Sequence, residues 1–428
     1  MNRIVLIGNG FDLAHGMKTS YNDFLDYLWR EVLGKAYQNG VAGYQNELVS
    51  VSNFHGFWED IDSNESAKRK VERHFSTIHY KNKFFEKVVK RQYVNSWVDI
   101  EKEYYVTLTE CYKIDQQQQT EASKKQIDQL NADFKVIKNK LNQYLISIEE
   151  KFKEKYKDEN PEFWKHRKSI GSKIYKRARL KDFAENYINQ RAVEKFNRFK
   201  VTFEGLKSGK IEISDLEETD QIFIADLRGD FSINGIRNYL LSEDMNGVKY
   251  VPVKQSLLLS FNYTATTNFY QHSDVYVSFP KEKPAYIKPI HIHGSIHEED
   301  DNPIIFGYGD ELDDDYLDIE KLDDNRYLEN IKSVKYLDRD NYKRLLEFVN
   351  SDQYQVVIMG HSCGNSDRTL LNTLFEHDNC VSIKPYYHLK KDGSDNYSDI
   401  VRNITRNFND KQKLRDRVVN KQYCEPLL

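Results

Sequence analysis

Short apolar runs that end in glycine or small polar residues constrain this chain more than any other feature. One run begins the sequence and the others follow position 250: Ile4–Ile7, Ser256–Ser260, Ile287–Ile292, Ile304–Phe306 and Val356–Met359. Apolar runs of this length, bounded by turn residues, are typical of parallel strands that are buried on both faces. The sequence therefore predicts an α/β fold whose parallel sheet is built from the two ends of the chain.

The part of the chain between these ends is helical in character. Its clearest pattern is a heptad seam with steps of three and four residues, formed by Ile127, Leu130, Phe134, Ile137, Leu141, Tyr144 and Ile148. This seam predicts a helix from near Glu121 to near Tyr156. Such a helix packs against another helix of the same chain or against a second subunit, and the second case would make the protein a homo-oligomer.

The composition excludes several classes of protein. The 428 residues have a formal net charge of -4, which indicates neither a nucleic-acid nor a membrane partner for the chain as a whole. No segment offers the roughly 20 apolar residues that span a bilayer, and the apolar start is too short for a signal peptide. We therefore expect a soluble, cytoplasmic protein. The cysteines lie too far apart for a zinc ribbon and are expected to be reduced thiols, mostly buried: Cys111, Cys363, Cys380 and Cys424.

Two segments have a strong charge bias. The segment Lys165–Lys200 is basic, and it is either a solvated helix face or a surface that contacts phosphates. Its candidate phosphate contacts are Tyr175, Arg177, Arg179 and Lys181. The segment Glu298–Asp324 is acidic and is expected to be a surface loop, with a position over the site as the alternative.

The first strand runs directly into a glycine turn, Gly8-Asn9-Gly10. Such a turn lets a backbone approach a pyrophosphate, and the helix that follows offers unpaired N–H groups. The third glycine is Gly16, whereas the common dinucleotide fingerprint would place it at Leu13. The segment also lacks the Gly-Lys-Ser/Thr of the P-loop. It therefore indicates either an unusual nucleotide site or a tight turn without a ligand.

The opening of the chain resembles the AbiH family of abortive-infection proteins. The resemblance lies in Gly8–Gly16, continues through Lys18–Phe24 and recurs in Trp97–Glu101, which we interpret as a helix packed near the site. The wider sirtuin-like superfamily opens in a similar way, with a loop that holds the pyrophosphate and ribose of NAD. The resemblance implies a three-layer, Rossmann-like parallel sheet. The corresponding domain would comprise residues 1–25 and 250–428, with a mainly α-helical insertion at 26–249.

Two polar residues follow later strands. Asn262 comes after the strand at 257–259, and His293 comes after the strand at 287–292. Polar residues at the carboxyl ends of parallel strands lie where open α/β sheets bind ligands. Asn262 is similar to the sirtuin-like asparagine that orients a water or ribose hydroxyl, and His293 matches the catalytic histidine. A histidine with a near-neutral pKa would serve as a general base. A turn-capping asparagine and a buried structural histidine remain the alternatives.

The segment Gly360-His361-Ser362-Cys363-Gly364 has two interpretations. It fits the nucleophile elbow of a serine hydrolase, with Asp378 and His388 available to complete the triad. It also resembles the late strand end of sirtuin-like proteins, which lines the adenosine side of the site. In that case Asp367 would bond a hydroxyl or cap a helix over Arg368–Phe375.

A metal centre is a further alternative. His291 and His293 would point the same way from a strand, and acidic residues follow them. The full candidate set is His291, His293, His297, Asp300, Asp301 and Asp310. This interpretation leaves the glycine turn unexplained, so we expect no metal.

The resemblance as a whole implies an anti-phage protein that hydrolyses NAD to ADP-ribose and nicotinamide. Asn262 and His293 would be catalytic. The residues that would bind the nucleotide are Gly8, Asn9, Gly10, Phe11, Asp12, Gly16, Gly294, Gly360, Ser362 and Asp367. An ADP-ribosyltransferase, or a nucleotide-sensing module that acts through its helical insertion, is the alternative. A phage-derived protein or nucleic acid would be the trigger. The chain lacks the cysteine-ligated zinc module of sirtuin deacetylases.

Overall fold

The computed structural model describes residues 1–52, 78–90, 97–118, 120–155, 161–175, 178–242, 250–271, 285–297, 301–311 and 313–428. Its strands are β1 (Asn2–Ile7), β2 (Tyr44–Gln45), β3 (Val49–Val51), β4 (Ile78–Tyr80), β5 (Ala178–Arg179), β6 (Tyr250–Val251), β7 (Gln255–Ser260), β8 (Ala285–Tyr286), β9 (Ile290–His291), β10 (Tyr354–Met359) and β11 (Cys380–Tyr386).

The helices are distributed along the whole chain. They are α1 (Asn9–Ala14), α2 (Tyr21–Asn39), α3 (Lys83–Lys90), α4 (Trp97–Gln118), α5 (Glu121–Lys155), α6 (Pro161–Tyr175), α7 (Glu185–Lys207), α8 (Glu218–Asp226), α9 (Ile233–Leu241), α10 (Asp314–Glu320), α11 (Lys332–Lys335), α12 (Asn341–Ser351), α13 (Arg368–Glu376), α14 (Tyr397–Arg406) and α15 (Lys411–Arg417). The protein is therefore of mixed α/β class. None of the helices in the described part of the chain combines the length and the apolar character that crossing a membrane requires.

The main sheet is parallel and joins the two ends of the chain, as the apolar runs predict. Its order is β11, β10, β1, β7, with β8 and β9 both paired to β7. Because β8 pairs with the start of β7 and β9 with its end, the two short strands share one edge position. The sheet therefore has five strand positions, with β1 in the centre.

Both faces of the sheet are buried, which explains why β1, β7 and β10 each contain an uninterrupted apolar stretch. Successive side chains of a strand point to opposite faces. Ile4 and Leu6 pack with residues of α12, α13 and α14, whereas Val5 and Ile7 pack with Phe11 and with residues of α6. The β1 side chains are fully buried on both sides, so the strand that precedes the glycine turn is held rigidly.

The heptad seam forms the long helix α5, and its apolar side chains pack inside the chain. Six of its seven positions, from Ile127 to Tyr144, are at most 4% exposed, and Ile148 is partly buried. They share one core with residues of α2, α3 and α4. The predicted helix and its in-chain packing are confirmed. Its predicted end near Tyr156 lies outside the described residues, and a homo-oligomer through this region stays a prediction.

The apolar run Ile304–Phe306 does not form a strand, so that prediction is wrong. The Phe306 ring stacks on Phe134 of α5, with 5.1 Å between ring centroids. The run is therefore apolar because it packs against the helices. The strand β11, conversely, is absent from the predicted set, because Lys384 and Pro385 interrupt its apolar pattern.

The acidic segment is only partly a surface loop. Its described residues include α10, and Tyr316 and Ile319 of that helix are buried in the same core as α2 to α5. Ile296, Tyr308 and Tyr327 also belong to this core. The segment 296–331 thus shares its hydrophobic core with the helical region, while the division into residues 1–25 plus 250–428 and 26–249 stays a prediction.

Candidate functional site

A cavity of about 630 Å³ lies at the carboxyl edge of the sheet. Its walls include residues within two positions of the carboxyl ends of β1, β7, β9 and β10. In the strand order, the chain passes from β1 to β7 toward one edge of the sheet and from β10 to β11 toward the opposite edge. The neighbours β1 and β10 therefore form a topological switch point, the place where open α/β sheets bind ligands.

The structure brings most of the predicted site residues together around this cavity. Those that line it are Gly8, Asn9, Gly10, Asp12, Asn262, His293, Gly360, Ser362 and Asp367. Phe11 is instead buried against the sheet. Gly16 and Gly294 both have a positive φ, near 77° and 87°, and serve turns beside the site.

The glycines after β1 are required by contact with the loop after β10. A Cβ atom on Gly8 would lie 2.6 Å from the His361 Cα atom, and one on Gly10 would lie 2.9 Å from the Gly360 Cα atom. The Gly10 N–H also donates to the Gly360 carbonyl oxygen at 2.8 Å. Glycine is therefore required at both positions because two loops pack closely at the switch point, which the sequence did not show.

Asp12 is a buried carboxylate that joins the loops after β1 and β7. It accepts hydrogen bonds from Thr264 Oγ1 and Thr266 Oγ1, both at 2.7 Å. Asn262 donates an Nδ2 hydrogen to the Gly8 carbonyl oxygen at 3.0 Å. Burial raises the pKa of Asp12 from 3.8 to about 6, although hydrogen bonds from these three side chains oppose the shift.

His293 is buried near the start of the loop after β9, two residues past the end of that strand. Its Nε2 atom lies 3.0 Å from the Tyr336 hydroxyl oxygen and 3.3 Å from Asp367 Oδ1. Burial and the nearby Lys332 ammonium lower the pKa of His293 to about 4, although Asp367 opposes the shift. The near-neutral pKa expected from the sequence is therefore not found, because the ring is removed from water.

His293 contacts a buried cluster of ionised side chains through Asp367. Lys332 Nζ lies 2.7 Å from Asp367 Oδ1 and 2.8 Å from Glu101 Oε1, and these three side chains are at most 7% exposed. Burial disfavours the Lys332 charge, but the two carboxylates outweigh it and raise the pKa of Lys332. Burial raises the pKa of Glu101 to about 7. Burial would also raise the pKa of Asp367, but Lys332 and His293 hold it well below its usual value.

A second histidine contacts the same carboxylate. The backbone N–H of Cys363 donates to His361 Nδ1 at 3.0 Å, so the proton of the neutral ring is on Nε2. That Nε2 atom lies 3.5 Å from Asp367 Oδ2. Asp367 therefore contacts one histidine with each oxygen, and the two histidines come from the loops after β9 and β10.

One of the two roles expected for Asp367, the capping of the helix that follows it, is not found. The sequence placed it on the adenosine side, bonded to a hydroxyl or capping the helix Arg368–Phe375. The helix is present as α13, but its N-cap has no side-chain capping hydrogen bond. The carboxylate contacts His293, His361 and Lys332 instead. Asp367 is thus an ionised partner of the histidines.

Several site residues were missed from the sequence. His361 lies inside the segment Gly360–Gly364, but the sequence indicated no role for it, and Lys332 and Tyr336 belong to a segment without any motif. The segment Trp97–Glu101 gave the clearest signal: it begins α4, and Asp99 and Glu101 line the cavity. The prediction of a helix near the site is confirmed there.

The serine-hydrolase triad is not assembled. Ser362 follows the carboxyl end of β10, whereas Asp378 precedes the amino end of the parallel strand β11. A strand of six residues separates these edges by roughly 20 Å. Asp378 pairs with Lys413 at 3.2 Å, and His388 is exposed. The positive φ of an elbow is found at Cys363 and not at the serine.

The candidate metal ligands go to separate partners. His291 Nε2 lies 3.1 Å from Thr267 Oγ1, and His297 Nε2 lies 2.8 Å from a Glu149 carboxylate oxygen. Asp301 pairs with Arg339 and Asp310 with Arg368, while Asp300 lies outside the described residues. Within the described ranges no three histidine, cysteine or acidic side chains are grouped as a metal site.

The basic segment is partly engaged inside the protein. Arg167 Nε donates to the Phe269 carbonyl oxygen at 2.6 Å, and Lys173 Nζ donates to the Leu427 carbonyl oxygen at 2.7 Å. Arg179 lies 3.8 Å from Asp182, and Arg177 lies outside the described residues.

The four cysteines are free, and three of them are buried, as predicted.

Comparison with known proteins supplies the family. No curated protein and no solved structure matches the chain. The sequence model of one family, described as bacteriophage abortive infection AbiH, matches residues 4–388. The matched range includes the loops after β1, β7, β9 and β10 together with the ion cluster. The chain therefore belongs to the AbiH family, and this membership implies a role in abortive infection by bacteriophage.

Proposed function

We propose that this AbiH protein is an NAD glycohydrolase, which cleaves NAD to ADP-ribose and nicotinamide. The observation that carries the proposal is the cavity at the switch point, where Asn262 and the His293–Asp367 pair meet the glycine turn. Its volume falls within the roughly 300–1,000 Å³ of typical ligand sites. We also propose that the parallel sheet and its helices form a three-layer, Rossmann-like and sirtuin-like core.

The reaction replaces the bond between ribose C1′ and the nicotinamide nitrogen with a bond to a water oxygen. Nicotinamide leaves as a neutral molecule with the bonding electron pair, and one proton is released overall. Positive charge develops on the ribose as the bond breaks. A base beside a ribose hydroxyl and a group that orients the attacking water would both assist this step.

His293 is the proposed base. Because burial lowers its pKa to about 4, the ring is neutral at physiological pH and able to accept a proton. A base of such low pKa is weak, but Asp367 Oδ1, 3.3 Å away, would stabilise the imidazolium that forms. The Lys332 ammonium keeps Asp367 ionised for this purpose.

Asn262 is the proposed orienting group. A primary amide has two donor hydrogens and one acceptor oxygen. The amide hydrogens are directed to the Gly8 carbonyl oxygen and to the Asp12 carboxylate. Among the described residues, its oxygen is thereby left to accept a hydrogen bond from a water or ribose hydroxyl in the cavity. The same bonds fix Asn262 against the glycine turn.

The test is release of nicotinamide from NAD, followed by chromatography with purified full-length protein. We expect His293→Ala to lower kcat by about 100- to 10,000-fold, the usual contribution of a general base. We expect Asn262→Ala to lower it by roughly 10- to 100-fold, as for loss of one buried hydrogen-bonding group. His388→Ala is the matched control, because this exposed histidine lies outside the cavity lining.

The outcome separates the alternatives. Loss in both cavity variants with full activity in His388→Ala supports the glycohydrolase and argues against a serine hydrolase. Release that survives both cavity substitutions would contradict the proposed site. A protein that binds NAD without releasing nicotinamide, also in extracts of phage-infected cells, would be a nucleotide sensor. Transfer of ADP-ribose to protein in place of free ADP-ribose would indicate a transferase.

A further inference from the structure

One wall of the cavity lies beyond the residues that the family model matches. The match ends at residue 388, whereas Asn403 and Arg406 of α14 line the cavity. The helix packs on the sheet through Ile400 and Ile404, which are buried in the same core as β1 and β10. Helix α14 therefore contributes to the cavity from outside the matched range.

The end of α14 is fastened to the loop after β10. Asn403 Nδ2 donates to the Ser362 carbonyl oxygen, and Asn407 Nδ2 donates to the Cys363 carbonyl oxygen, both at 2.8 Å. Arg406 Nη1 in turn donates to Asn403 Oδ1 at 2.6 Å. The guanidinium is thus held beside the switch-point loop by bonds that fix both the helix and the side chain.

The charges around the cavity distinguish Arg406 from the other ionised groups. Lys332 is neutralised by Glu101 and Asp367. Lys102 of α4 also lines the cavity, but among the described residues no hydrogen bond holds its side chain in place. Among the described residues, Arg406 forms no ion pair with a carboxylate, and its hydrogen-bond partner is the neutral Asn403 amide. The cavity thereby has a positive charge at the loop after β10 and its proposed reacting groups at the loops after β7 and β9.

We infer that Arg406 is a phosphate-binding position of this cavity, which contacts the pyrophosphate of a dinucleotide whose ribose lies at His293. The inference rests on the proposed function, which places the ribose at His293 and thereby sets the orientation of the ligand in the cavity. A guanidinium binds two phosphate oxygens at once, and such charge-assisted bonds are stronger than neutral ones. Phosphates at a switch point also agree with the usual ligand position of open α/β sheets.

Isothermal titration calorimetry with ADP-ribose tests the inference, because this probe has a pyrophosphate and is not consumed. We expect Arg406→Gln to weaken ADP-ribose binding by roughly 10- to 100-fold, as for loss of a bond to a charged group. Adenosine, which has no phosphate, should bind both proteins alike. Arg406→Lys should restore part of the affinity, since lysine retains the positive charge but lacks the planar guanidinium that binds two phosphate oxygens at once.

Arg402→Gln is the matched control. Arg402 lies one turn earlier on the same helix, is exposed as Arg406 is, and differs in that it pairs with Asp399 and lies outside the cavity lining. Equal ADP-ribose affinity of the Arg406→Gln and Arg402→Gln proteins would overturn the inference, as would an equal loss of adenosine binding or no ADP-ribose binding by the wild type. If Arg406-dependent binding occurs without nicotinamide release, the phosphate position stands and the glycohydrolase fails. Nicotinamide release with an unchanged KM in Arg406→Gln overturns the phosphate position and leaves the proposed glycohydrolase intact.

Discussion

Removal of the buried Lys332 charge is the most informative perturbation of the site. In the wild type one ammonium balances two carboxylates, Glu101 and Asp367, at 2.8 Å and 2.7 Å. Breaking a buried pair by removing one partner costs about 3–5 kcal/mol, because the remaining charge is uncompensated. We therefore expect Lys332→Met to lower the free energy of unfolding by about that amount at neutral pH.

The loss should depend on pH with a definite sign. Without the ammonium, the folded-state pKa of Glu101 rises further above the value of about 7 that burial already produces. A carboxyl group whose folded-state pKa is raised contributes stability at low pH and loses it as the pH rises through that pKa. The difference between wild type and Lys332→Met should thus be larger at about pH 8 than at about pH 6. The pKa of His293 should also rise, because Lys332 is one of its depressing influences.

Equilibrium urea unfolding at the two pH values measures these differences. Lys335→Met is the control, since its side chain is 42% exposed and lies 3.7 Å from Asp338, and exposed pairs contribute about 0–1 kcal/mol. Adding Glu101→Gln to Lys332→Met should recover part of the loss, because one stranded charge disappears. Equal stability of the Lys332→Met and Lys335→Met proteins, or a loss that does not change with pH, would refute the reasoning.

Three further predictions follow from buried groups. Asp12→Asn should flatten the pH dependence of stability between about pH 4 and pH 6, as measured by urea unfolding. The reason is that the pKa of Asp12 is raised to about 6, so its ionisation costs the folded protein roughly 3 kcal/mol. An unchanged profile would contradict this. Gly360→Ala should lower the melting temperature by several degrees, since φ is 74° and a Cβ would lie 2.1 Å from the Phe11 nitrogen; calorimetry that shows wild-type stability would exclude this packing. A thiol reagent should label Cys424 in the native protein before the three buried cysteines, whereas labelling of Cys363 at the same rate would show that its loop is open.

The sequence was sufficient for the parts of the fold where burial alone decides the pattern. The strands β1, β7 and β10 each contain an uninterrupted apolar stretch because both faces of the sheet are covered, and their positions were predicted within one or two residues. The heptad seam of α5 was equally clear. The run Ile304–Phe306 misled the prediction because a chain packed against helices can be as apolar as a strand.

The site was predictable mainly where a residue closely follows a strand, and the helix that begins at Trp97 is the exception. Asn262 and His293 do so, and the parallel sheet brings their loops to one edge. Lys332 comes from a four-residue helix, and neither its burial nor its pairing with Glu101, 231 positions earlier, leaves a pattern in the sequence. The low pKa of His293 also depends on tertiary burial, which residue spacing does not report.

The most direct test of the central claim is the NAD content of phage-infected cells that express the protein. Cells with the wild type should lose NAD after infection, accumulate ADP-ribose and nicotinamide, and stop phage growth. Cells with His293→Ala or Asn262→Ala should retain NAD and lose protection, while His388→Ala should behave as the wild type. Protection by the His293→Ala protein with NAD unchanged would contradict the account, because abortive infection would then proceed without this site cleaving NAD.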